Sequence, residues 1–218
     1  DADLPRPYEP LARALGPELG DSPVDALLYF GSAPAGMIAP LTARARRIVG
    51  MHPDRTEVQR ARASLHSRGY SHCVLQQGGL RSLPHASASF DVALLDGALL
   101  DDPRPGTALR EVGRVLRPGG RWIIHVPNGA SPFSGIVRYG DLTHELSFTP
   151  ESLTQLALSS GFRSIGCFED EPVAHGLKSG VRLALWKVLR GMLRFYLTVE
   201  TGASQPVLTQ NMLAVAVK

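Results

Sequence analysis

The sequence predicts an α/β fold built from parallel βαβ units. Short apolar runs of strand length alternate along the chain with segments whose apolar residues recur at helical spacing. Turns bearing glycine and proline separate them. One run, Phe90 to Asp96, is nearly all apolar, as a strand covered on both faces should be.

Residues 1 to 23 read as a lead-in, extended through residue 7 and then helical from Tyr8 to Leu19, with Pro10 and Pro17 near the helix ends. The first strand, Ala26 to Phe30, meets a loop of small residues, Gly31-Ser32-Ala33-Pro34-Ala35-Gly36, and a helix is expected from Met37. Strand, glycine-bearing loop and helix is the order in which open α/β sheets build a nucleotide site. Arg47 to His52 is the second strand, ended by Pro53-Asp54, and Thr56 to Ser67 is a helix with Val58, Ala61 and Leu65 on one face. Ser71 to Gln76 is the third strand, followed by a Gln77-Gly78-Gly79 turn.

After the Phe90 strand, a helix from Pro105 to Leu116 stops at Arg117-Pro118-Gly119-Gly120, and Arg121 to Val126 is the fifth strand. The stretch 129–148 is a loop of the length usual for functional lids. Thr149 is an N-cap and Pro150 opens the helix that Gly161 closes. Arg163 to Glu169 and Val207 to Val217 are the last two strands. Between them, Leu177 to Val199 is helical, with Val181, Leu185, Val188, Leu189, Met192 and Tyr196 on one side and Lys187, Arg190 and Arg194 on the other. It reads as a covering helix with a solvated basic face, or as a contact through 178–194 with an anionic membrane surface or lipid-linked substrate.

A chain of 218 residues, 44% hydrophobic and 20% charged, suits one large α/β domain. A net charge of +3 is too mild to argue for a nucleic-acid partner. Cys73 and Cys167 lie in apolar, strand-like runs and read as buried free thiols. His52, His85, His125 and His175 lack partners at metal-ligand spacing, so no metal is expected. Trp122 and Trp186 read as packing residues. With no apolar run of about 18 residues and no leader pattern, a cytoplasmic location is the expectation.

Phe90-Asp91-Val92, followed by the run Leu109-Arg110-Glu111-Val112-Gly113-Arg114-Val115-Leu116-Arg117-Pro118-Gly119-Gly120-Arg121 and a strand ending in Val126-Pro127-Asn128, resembles the class I S-adenosylmethionine-dependent methyltransferases. The block Tyr139-Gly140-Asp141-Leu142-Thr143-His144-Glu145, with Phe148-Thr149-Pro150, is similar to a branch that modifies saccharides and other small molecules. The resemblance covers residues 24 to 170. It implies a Rossmann-like, seven-stranded, mostly parallel sheet of order 3-2-1-4-5-7-6, its last strand antiparallel, with helices on both faces. The chain then reads as a single methyltransferase-like domain over 1–218, with 129–148 as a lid-like loop and 177–201 as a helical insertion.

The resemblance also implies a pocket for S-adenosylmethionine. In such enzymes an acid ends the first strand before a G-x-G-x-G loop; here Tyr29 precedes Gly31, Ser32, Ala33 and Pro34. An added Cβ and a fixed φ narrow the backbone's approach to a ligand. The acid expected after the second strand is His52, with Asp54 as a substitute two residues on. The aspartate expected after the third strand is Gly79, beside Leu80. Each lost hydrogen bond to a charged group is worth about 1.5–3 kcal/mol, so two or three losses weaken binding by roughly two to five powers of ten.

Asp96, at the end of the fourth strand, is a cofactor or acceptor contact or a plain turn residue. Asp141 and His144 are candidate catalytic groups, with His144 the base on an acceptor hydroxyl and Asp141 orienting it; the alternative is local turn bonding. The expected function is that of a non-catalytic or weakly cofactor-binding methyltransferase homologue. Its partner would be an active methyltransferase, a saccharide-assembly enzyme or a second copy. The alternative is an active O-methyltransferase on a small-molecule or saccharide hydroxyl.

Overall fold

Seven strands pair into one sheet in a computed structural model, which describes residues 23–31, 34–97, 99–135, 139–140, 145–170, 177–202 and 207–218. In chain order the elements are β1 (Val24–Gly31), α1 (Pro34–Leu41), β2 (Ala45–His52), α2 (Arg55–Ser67), β3 (Cys73–Gln77), β4 (Phe90–Asp96), α3 (Pro105–Val115), β5 (Leu116–Pro127), α4 (Pro150–Ser159), β6 (Ser164–Glu169), α5 (Leu177–Thr201) and β7 (Asn211–Val217). The strand order is β3-β2-β1-β4-β5-β7-β6, parallel except for β7, which runs antiparallel to both its neighbours. The expected topology holds.

Alternation along β1 explains the two cores. Leu28 and Phe30 face a cluster with Leu95, Leu109 and Trp122, whereas Leu27 and Tyr29 face one with Met37, Ile48 and Leu94. The central strands are apolar on both sides because helices cover both sides.

The family-like motifs turn out to be structural fasteners. Asp91 accepts the Ala26 N–H at 2.8 Å and pairs with Arg117 at 2.5 Å, tying the start of β1 to the α3–β5 junction. Glu111 and Arg114 bind each other on α3 and clasp the segment after β3. Glu111 Oε2 accepts the Leu83 N–H at 3.1 Å, and Arg114 donates to the carbonyls of His85 at 2.8 Å and Leu83 at 3.0 Å. Thr149 is the N-cap of α4, as the sequence predicts, and it closes a reciprocal capping box with Ser152.

Several boundaries differ from expectation. β5 begins at Leu116, not Arg121: Leu116 leaves α3 in extended geometry and pairs with Phe90, and the Pro118-Gly119-Gly120 run lies inside the strand. Gly119 sits at φ 76°, a left-handed conformation open to glycine, and the register with β4 shifts across this run. α1 begins at Pro34 rather than Met37, with proline at a first-turn position where its missing N–H costs nothing. β7 begins at Asn211, not Val207. The preceding carbonyls of Val207 and Thr209 are taken by the buried Asn128 side chain, and that of Leu208 by Ser131 Oγ. The thiols of Cys73 and Cys167 are free but only partly buried, and burial raises each to about 11.

The largest departure is α5. Its apolar side does not pack: Val181, Leu185, Val188, Leu189, Met192 and Tyr196 are all exposed. Arg190 and Arg194, read as solvated, instead face the body and pair with Glu169, while Trp186 lies under the Arg190 guanidinium at 4.9 Å. The lead-in 1–22, including the expected helix Tyr8–Leu19, lies outside the described residues, as do Ser32, Ala33, Asp141 and His144.

Candidate functional site

The carboxyl ends of β1, β2, β4 and β5 meet on one edge of the sheet, where α/β folds of this kind hold ligands. Gly31, Asp96 and His125 lie side by side there, since Gly31 pairs with Asp96 and Asp96 with His125. The approach is tight. A Cβ on Gly31 would lie 2.7 Å from the Asp96 carbonyl oxygen and 2.9 Å from the Tyr29 hydroxyl. Glycine is therefore demanded by the protein's own packing, whatever the loop holds.

Tyr29 is fully buried, in the same cluster as Met37, Ile38 and Leu41. Its ring fills the position expected of a carboxylate and brings the hydroxyl up beside Gly31. His52 is half-buried, and its Nδ1 accepts the Asp54 N–H at 3.0 Å. Asp54 is the N-cap of α2, with Oδ1 2.6 Å from Thr56 N, and that backbone bond holds its carboxyl below the usual range. Gly79 is exposed, with no atom within 4 Å of where a Cβ would stand, and Leu80 is buried in the core. The three anchor positions thus present a packed phenol, an engaged imidazole and open space. None of the three supplies the carboxylate that the resemblance leads one to expect there for S-adenosylmethionine.

Sequence reasoning missed His125 and Asp170. His125 Nδ1 lies 3.1 Å from Asp96 Oδ1 and its Nε2 lies 3.2 Å from Asp170 Oδ2. Both ring nitrogens face carboxylates, so both donate and the ring is an imidazolium. Burial opposes that charge, but the bonds and charges of Asp170 and Asp96 outweigh it and raise the ring to about 9. The signal was available: His125 interrupts the apolar run Trp122-Ile123-Ile124 one strand away from Asp96. No group of three metal-binding side chains able to hold an ion occurs among the described residues.

Asp170 also lines a cavity of about 940 Å³ between α5 and the segment before β7, with Leu183, Trp186, Leu193 and Leu208 among its apolar walls. The sheet edge and this cavity are thus joined through one ion-pair cluster.

Residues 28–124 match the sequence model of the family described as "Methyltransferase domain". The ubiquinone/menaquinone biosynthesis C-methyltransferase UbiE of Rubrivivax gelatinosus is 35% identical over 111 residues, 51% of this chain and 41% of that protein. The chain spans less than half the length of the curated relatives it matches first. Among solved structures, YcgJ of Bacillus subtilis is 16% identical with a TM-score of 0.65, covering 95% of this chain and 98% of that one. A chain from the complex between the Haloferax volcanii Trm112 methyltransferase activator and a methyltransferase is 15% identical with a TM-score of 0.69, covering 96% and 89%. These structural likenesses speak for the fold alone. Over residues 28–124 in sequence, and in strand order throughout, the chain is similar to the class I S-adenosylmethionine-dependent methyltransferases.

Proposed function

We propose that this chain is a methyltransferase homologue that has lost, or nearly lost, use of S-adenosylmethionine and acts through a partner enzyme. The observation that carries this reading is Tyr29, wholly buried, with its hydroxyl beside Gly31 where the family places an acid. His52, tied to Asp54, and the empty side of Gly79 add two further missing carboxylates. A methyltransferase of the same fold in complex with an activator supports partnership as a role for the scaffold. Calorimetric titration with millimolar S-adenosylmethionine tests it. No heat, or millimolar affinity, is expected; micromolar binding overturns the reading.

A second reading, an active methyltransferase on a small-molecule or saccharide hydroxyl, is favoured by the Asp96–His125–Asp170 cluster. Two carboxylates and one imidazolium leave a net negative charge beside Gly31, an environment that favours a cationic group. In this reading His144 takes the acceptor's proton and Asp141 orients it. UbiE, the similar small-molecule methyltransferase, acts on carbon, so the acceptor atom separates the two cases. Transfer of labelled methyl from S-adenosylmethionine to an acceptor by the purified chain would replace the first reading with this one.

A further inference from the structure

Helix α5 is 25 residues long and carries Val181, Leu185, Val188, Leu189, Met192, Phe195, Tyr196 and Val199 exposed, from 56% to 73% of each surface. At about 100° per residue these eight fall on one stripe roughly a third of the helix circumference wide. From Val181 to Val199 that stripe runs for about 27 Å at 1.5 Å per residue. An exposed apolar face of this extent marks a docking surface.

Charge selects its occupant. Helix α5 contains Lys178, Arg182, Lys187, Arg190 and Arg194 against one acid, Glu200, in its last turn. Arg190 and Arg194 pair with Glu169, whereas Arg182 and Lys187 are exposed and have no carboxylate partner among the described residues. A second copy laid stripe to stripe would bring two such cationic helices within about a Debye length, roughly 8 Å. An anionic lipid surface would instead be attracted by them. Leu189, Met192 and Tyr196 belong both to the stripe and to the wall of the 940 Å³ cavity, giving acyl chains a continuous apolar path. No helix among the described residues is long and apolar enough to cross a membrane, so α5 would lie in the interface plane.

We propose that α5 is a membrane-surface anchor that seats its apolar stripe in an anionic phospholipid bilayer. The proposal is independent of whether the sheet edge binds a cofactor. Co-sedimentation of the whole chain with vesicles of phosphatidylcholine, alone or mixed with phosphatidylglycerol, tests it. Binding to the mixed vesicles at least about tenfold above the neutral ones is expected. Leu185→Asp with Phe195→Asp should abolish it, and Arg182→Glu with Lys187→Glu should lower it about tenfold or more, with circular dichroism unchanged because all four sites are exposed. Absence of binding to mixed vesicles overturns the proposal. So does equal binding to both vesicle types, or a dimer that Leu185→Asp dissociates while vesicle binding is unaffected.

Discussion

Asp96 and His125 are register partners on neighbouring strands, and their side chains meet at 3.1 Å between Oδ1 and Nδ1. With Asp170 on the other nitrogen, the ring is held as a cation well above its ordinary 6.5. The stabilisation this adds is complete below about pH 6.5 and is lost as pH rises through about 9, the raised folded value. At about 1.4 kcal/mol per pKa unit it amounts to at most about 3–4 kcal/mol. Urea midpoints should therefore fall between pH 6.5 and 9 in the native chain, and His125→Gln should be less stable at pH 6 and flat across that window. A His125→Gln protein with the native slope would place the titrating group elsewhere.

Gly31→Ala should destabilise the fold with no ligand present. The added Cβ meets a backbone oxygen, Asp96 O, at 2.7 Å, and backbone cannot swing aside as a flexible side chain does. A cost of about 1–3 kcal/mol is expected, a fall of several degrees in thermal midpoint. An unchanged midpoint would mean that only a ligand needs this glycine.

Gly79→Asp tests the opposite case. No atom lies within 4 Å of the new Cβ, so stability should stay within about 0.5 kcal/mol of native. If the space is the remnant of a cofactor site, S-adenosylmethionine affinity measured by calorimetry should rise about tenfold from the restored hydrogen bond. Unchanged affinity would show that this corner no longer belongs to a cofactor site.

Thr149→Ala should cost about 1 kcal/mol, read as a thermal midpoint about 2–4 °C lower. It removes the acceptor for the Ser152 N–H at 3.2 Å, one half of the capping box. The measurement matters because α4 pairs in chain order with β6, whose end leads to Glu169 and Asp170.

The sheet was legible because each strand carries its own pattern. β4 is apolar from Val92 to Leu95, and α2 shows helical spacing at Val58, Ala61 and Leu65, all buried. What escaped depended on partners distant in sequence. Pro118-Gly119-Gly120 is locally a stop signal and does interrupt the pairing with β4, yet hydrogen bonds to Lys218 keep it in a strand. Val207 looks like strand until the Asn128 amide claims its carbonyl from 79 residues away. Sequence spacing tests His125 only as a metal ligand, whereas its ion pairs reach Asp96 and Asp170, distant along the chain. The apolar side of α5 was visible as a pattern, whereas its lack of cover was not, since periodicity cannot say what a face meets.

The clasp that Glu111 and Arg114 make on Leu83 and His85 joins one part of the chain to another, and so does the Asp91 bond to Ala26. These residues supply much of what makes the chain recognisable, and they would tolerate no casual change even in a protein that transfers nothing. His52 and Gly79 lie outside that framework, whereas Tyr29 is buried in the core. Recognisability and chemistry are thus inscribed in different residues. A chain of this architecture can fall silent as a catalyst and still announce its ancestry.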